Sequence, residues 1–146
     1  MTVIDKDLGF NGILDRLADM DGEIDIGILD NAGNEENGET VANVAAYNEY
    51  GTNHIPSRPF MRQTADKHGK AWGSFAQRAT NRVIDGMGAE QAKELIGNRA
   101  EGDMKKMVTQ GDFVPNAPNT IKQKGSSTPL IDTGRMRNSI SHRVKD

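Results

Sequence analysis

At 146 residues with no cysteine, the chain is the size of one ordinary domain and holds its fold by packing or assembly, without disulfides, thiolate metal sites or a cysteine nucleophile. Only 35% of residues are hydrophobic and 5% aromatic, beside 16 glycines, so a thin core with loops and arms is expected. The net charge of -3 conceals 12 acidic against 2 basic residues over 1–57 and 9 against 16 over 58–146, which either supplies head-to-tail attraction between subunits or forms two solvated surfaces.

No basic and apolar leader opens the sequence and no run approaches the roughly 18 apolar residues of a membrane helix, so a soluble chain of a single domain, 1–146, is expected. Asp7 is positioned to cap a first helix whose Phe10, Ile13, Leu14, Leu17 and Met20 recur at three- and four-residue spacing, with Gly22 ending it. From Glu23 to Asp30 polar and apolar residues alternate, which puts Ile24, Ile26 and Ile28 on one face of a half-buried strand. Residues 31–38 (NAGNEENG) can bury almost nothing and read as an exposed loop. Val41, Val44, Ala45, Tyr47 and Tyr50 fit either a short helix or a strand, the small residues favouring the helix.

Pro56 and Pro59 make 51–60 an ordered or docked loop, and Pro59 suits the first turn of a long helix with Ala65, His68, Trp72, Phe75, Ala79 and Val83 as its core stripe. The Gly86-Met87-Gly88 break separates it from a second helix carrying Ala92, Ile96, Ala100, Met104, Met107 and Val108, and the two are expected to pack as a hairpin. Prolines and glycines return over 111–129, which reads as an extended arm with one helical turn at 119–123, ordering on assembly. A short helix capped by Asp132 or Thr133 and a strand over 139–144 complete the chain. The fold class that follows is α+β, a small antiparallel sheet against one or two long helices.

Chemistry is scarce in this pattern. His54, His68 and His142 have no spacing that sets two metal ligands on one helix face, no phosphate-binding glycine loop occurs, and no cofactor or catalytic residue is expected. His68 falls on the apolar stripe and reads as a partly buried structural residue. Arg78, Arg82, Lys105 and Lys106 offer charge for phosphates, but with so few aromatics for base stacking a solvated helix face is the better reading. Leu130-Ile131-Asp132-Thr133-Gly134 looks like the Asp-Thr-Gly string of retroviral-type aspartic proteases, which makes such a protease the distant alternative. With 12 residues after Gly134 there is no room for that fold, and capping is the expected role of Asp132.

Two longer segments carry a resemblance. Val44-Ala-Ala-Tyr47-Asn-Glu49-Tyr50-Gly51-Thr52 with Ile55-Pro-Ser-Arg58-Pro59-Phe60-Met61-Arg62, and Pro129-Leu-Ile-Asp132-Thr-Gly-Arg135-Met136-Arg137-Asn-Ser-Ile140, resemble the head-tail joining and tail-completion (neck) proteins of tailed bacteriophages. The resemblance implies a non-enzymatic virion subunit, assembled as a ring, commonly of six, that caps the tail tube and docks it to the head connector. The implied partners are further copies of the chain, portal or connector proteins, and tail-tube, tail-terminator or sheath proteins, with DNA only as cargo in the lumen and no membrane. A head-completion or minor tail protein is the nearest alternative. Tyr47, Glu49, Tyr50, Arg58, Pro59, Phe60, Arg62, Asp132, Arg135 and Arg137 are the expected interface residues. Arg58 and Arg62 would pair with acidic groups of residues 1–57 on a neighbour, or the whole string would seal the core of its own subunit.

Overall fold

The computed structural model describes residues 9–146, so the Asp7 cap expected from sequence lies outside the described residues. In chain order the elements are α1 (Phe10–Ala18), β1 (Glu23–Ile28), α2 (Val41–Tyr50), α3 (Phe60–Ile84), α4 (Ala89–Gln110), α5 (Pro118–Lys124), α6 (Arg135–Asn138) and β2 (Ile140–Lys145). The class is α+β, with β1 and β2 pairing antiparallel from Glu23 opposite Lys145 to Ile28 opposite Ile140.

The helix at 41–50 forms because Thr40 accepts a hydrogen bond from the Asn43 amide at 3.1 Å, an N-cap that a strand would not use. Its Val41, Ala45 and Glu49, four residues apart, form the buried side, and Gly51 ends it with a φ of 77°. A side chain at Gly51 would press on the Ser57 backbone, so glycine is required both by the turn and by the returning chain.

Helices α3 and α4 form the expected hairpin. Trp72 Nε1 donates to Asp103 at 2.8 Å across it, and Arg99 Nε donates to the same carboxylate oxygen at 3.1 Å. Burial alone would raise the Asp103 pKa, but these hydrogen bonds and the charges of His68 and Arg99 outweigh it and lower the pKa. His68, half-buried as expected, stacks on Trp72. One position of the predicted stripe is corrected: Ala65 is exposed and Thr64 is fully buried. The first turns of α3 step by four from Phe60, through 64, 68 and 72, which turns position 65 away from the core.

The main core joins Val41, Phe60, Met104, Val108, Met136 and Ile140, so α2, α3, α4, α6 and β2 meet in one cluster. Ala79, Val83, Ala89 and Ala92 form a smaller cluster at the hairpin turn. There α1 is fastened by Arg16, which donates to the carbonyls of Val83 at 3.1 Å and Ile84 at 3.2 Å, satisfying the C-terminal end of α3. Residues 111–117 run without helix or strand but insert Phe113 into the main core, and the turn expected at 119–123 is α5.

The other flank of α4 carries the sheet. His142 on β2 lies over Gly97, where an added methyl would overlap the imidazole. In the middle of α3, by contrast, a methyl at Gly73 would meet nothing within 4 Å. Equilibrium urea unfolding should therefore separate the two glycines: Gly97→Ala loses about 1–3 kcal/mol through overpacking, whereas Gly73→Ala gains about 0.5–1 kcal/mol of helix propensity. Equal responses would mean that His142 does not pack on the α4 backbone.

Candidate functional site

The two segments singled out in the sequence, 44–62 and 129–140, come together in space. They flank a groove of roughly 750 Å³, with Val44, Asn48, Ile55 and Arg58 from the first and Leu130, Asp132, Arg135 and Met136 from the second. The arm adds Pro115, Asn116 and Lys124, and the 31–38 loop adds Glu35 and Glu36 at the rim. Leu130, Met136, Val41, Ala45 and Phe60 share the main core beneath it, so the walls are set by apolar packing.

Glu49 organises the first wall. Only 3% exposed, it accepts hydrogen bonds from the Met61 amide at 2.9 Å and the Arg62 amide at 3.1 Å, the first-turn donors of α3 that have no partner inside the helix. Arg62 Nε donates to the same carboxylate at 2.9 Å, and Arg62 Nη2 reaches the Glu49 carbonyl at 2.7 Å. Because Pro59, at the head of the helix, has no capping side chain, a residue from the preceding helix supplies the negative charge favoured at an N-terminus.

Arg58, from the same segment, positions the arm. It is 5% exposed, and its Nε and Nη2 donate to the carbonyls of Val114 at 2.8 Å and Pro115 at 3.3 Å, which ties the arm to the loop before α3. Burial lowers its pKa. Lys124 across the groove is also lowered, first by burial and then by the charge of Arg58, with Asp132 acting in the opposite sense. Among the described residues the one buried side-chain nitrogen or oxygen without a hydrogen-bond partner is Asn116 Nδ2, on the lining of this groove.

The sequence-predicted interface residues divide by exposure. Glu49, Arg58 and Phe60 are interior groups of their own chain and Pro59 is half-buried, so both arginines are engaged within the chain. Tyr50 is 72% exposed with the Arg62 guanidinium 5.2 Å from its ring centroid, and Tyr47 is 39% exposed. Arg135 donates to the Asn34 carbonyl at 2.7 Å, holding the 31–38 loop to the second segment, and Arg137 donates to Thr109 at 3.0 Å. The capping role expected of Asp132 is corrected: α6 starts from Gly134 in a left-handed conformation with no side-chain cap, and Thr133 Oγ1 accepts from the Arg135 amide at 3.3 Å. The positive φ of Gly134 turns the chain before Asp132 can reach the helix amides, and Asp132 is exposed.

Part of the charge separation closes inside the chain, through Asp25 with Lys145 at 2.5 Å, Asp30 with Arg143 at 2.7 Å and Glu49 with Arg62. Sequence reading missed the ionic cluster on the far flank of α4, where His142 Nδ1 meets Glu101 at 2.6 Å and Nε2 meets Glu94 at 2.8 Å. The Glu101 and Lys105 spacing was a signal for half of it; His142 joins only through the pairing of β2 with β1. Among the described residues no group of three or more His, Cys, Asp or Glu is arranged to hold a metal, and no helix is long and apolar enough to cross a membrane. No family model, curated protein or solved structure matches the chain.

Two substitutions test these contacts. Glu49→Ala leaves the first-turn amides of α3 without their acceptor and should cost about 2–4 kcal/mol in urea unfolding, with Glu49→Gln losing less; a neutral Glu49→Ala would remove the capping role. For His142, burial disfavours the charged ring, but its hydrogen bonds and attraction to Glu94 and Glu101 outweigh burial and raise the pKa above 6.5. A raised pKa means that this stabilisation is complete below pH 6.5 and is lost as pH rises through the folded-state value. The stability difference between the native chain and His142→Gln should therefore shrink from mildly acidic to mildly alkaline pH, and a difference that grows would contradict the assignment.

Proposed function

We propose that this chain is a structural virion protein of a tailed phage, a tail-completion or neck subunit that assembles as a ring and joins the tail to the head connector. The observation that carries it is the convergence of segments 44–62 and 129–140, which bear the resemblance, on one groove over one core. Two stretches with residues 63–128 between them form a single unit, as a shared module requires. Tyr47, Tyr50 and Arg62, from the first segment, offer an exposed aromatic and cationic surface of the type enriched at interfaces.

In this role the activity is assembly. Identical subunits make head-to-tail contacts that close into a ring, commonly of six copies, leaving a lumen for DNA and two unlike faces for connector and tail proteins. The 31–38 loop and the 111–129 arm are the segments proposed for contacts between subunits or rings.

Electron microscopy of lysates from the parental phage with this gene deleted tests the proposal. Filled heads beside separate tails are expected. Normal virions would overturn the neck role, and abnormally long or absent tails would move the protein to another level of the tail.

A further inference from the structure

Two groups of exposed charge, each gathered in one part of the fold, form no ion pair among the described residues. On α3, Lys67, Lys70, Arg78 and Arg82 are exposed and have no carboxylate partner among the described residues, and Asp66 is the one acid within the helix. Their three-, four- and eight-residue steps set them along one side of α3 over roughly 22 Å. The guanidiniums of Arg78 and Arg99 each lie 5.8 Å from the centroid of Phe75, so two like charges meet over one ring. Arg99 is balanced by Asp103, whereas Arg78 has only the ring.

The opposite charge gathers where the end of α1, the start of β1 and the start of α4 enclose a cleft of roughly 1100 Å³. Asp19, Asp21, Glu23 and Glu90 on its rim are exposed and form no ion pair among the described residues. The cation in its wall, Lys93, is buried and engaged by Asp146 at 2.7 Å and the Asp21 carbonyl at 3.1 Å.

We infer that the basic side of the α3–α4 hairpin docks against the acidic cleft of a second copy of this chain, forming the head-to-tail contact of the ring proposed above. Two unlike surfaces of one subunit that attract each other propagate the same contact from copy to copy, as a closed ring demands. A nucleic-acid phosphate backbone is the other polyanion this side could take, but Phe75, the aromatic beside these charges that base stacking would need, is half-buried and already flanked by two guanidiniums. The charge complementarity is between two faces of the same chain.

The test is sedimentation velocity of the full chain and two charge-reversed variants, Arg78→Glu with Arg82→Glu and Asp19→Lys with Glu90→Lys, at low and high salt. The native chain is expected to assemble at low salt and to need about tenfold more protein at high salt. Each variant alone should remain dissociated, and an equimolar mixture should assemble, because each reversed face then meets its opposite. Either variant assembling alone as the native chain does, or a mixture that stays dissociated, would overturn this contact while leaving the ring itself standing. A native chain that is monomeric at every salt concentration would overturn both. A native chain that stays monomeric yet retains a DNA duplex through Arg78 and Arg82 would assign this side to phosphates and overturn the contact between copies.

Discussion

A single buried carboxylate sets the geometry on which the rest of this protein depends. Glu49, at the end of α2, receives the first amides of α3 and so determines where the longest helix starts and in which direction it runs. An ionised group inside a protein is tolerated only when its hydrogen bonds are complete, and here two amides and a guanidinium complete them. With that junction in place, Phe60 enters the core, Arg58 faces the arm, and Arg62 is left spanning from the carboxylate to the exposed Tyr50 ring.

Helix α4 is the second organiser because it is used on two flanks. Its Asp103 flank is braced to α3 through Trp72, and its Gly97 flank receives β2 through His142. The glycine allows close approach and the two glutamates grip both ring nitrogens, so a two-stranded sheet that would be marginal alone is held to a helix. The surface ion pairs of Asp25 with Lys145 and Asp30 with Arg143 add little by comparison, since solvent screens exposed charges.

The groove is built from the same economy. Its floor is the apolar cluster, and its walls are polar groups whose main partners are backbone carbonyls and amides of neighbouring segments. The strings that drew attention in the sequence therefore have structural duties first: Glu49 caps, Arg58 ties, Phe60 fills, and Gly51 and Gly134 turn the chain. What they leave at the surface is a smaller set that includes Tyr47, Tyr50 and the face of Arg62 from the first string and Asp132 from the second.

The sequence alone determined the elements whose signals are local. Alternation over 23–30 marked β1, the Gly86–Gly88 break placed the hairpin turn, and the three- and four-residue recurrence along α3 and α4 gave their core faces, apart from position 65. Only the tertiary structure decided the partners. Glu49 and Arg62 stand 13 residues apart, Trp72 and Asp103 31 apart, and Arg58 and Pro115 57 apart, and no periodicity encodes which distant donor will meet a buried acceptor. Local patterning records which side of an element is apolar, because that follows from helical or strand geometry. The joining of segments 44–62 and 129–140 around one groove is decided by how those apolar sides pack together, which is a property of the whole chain.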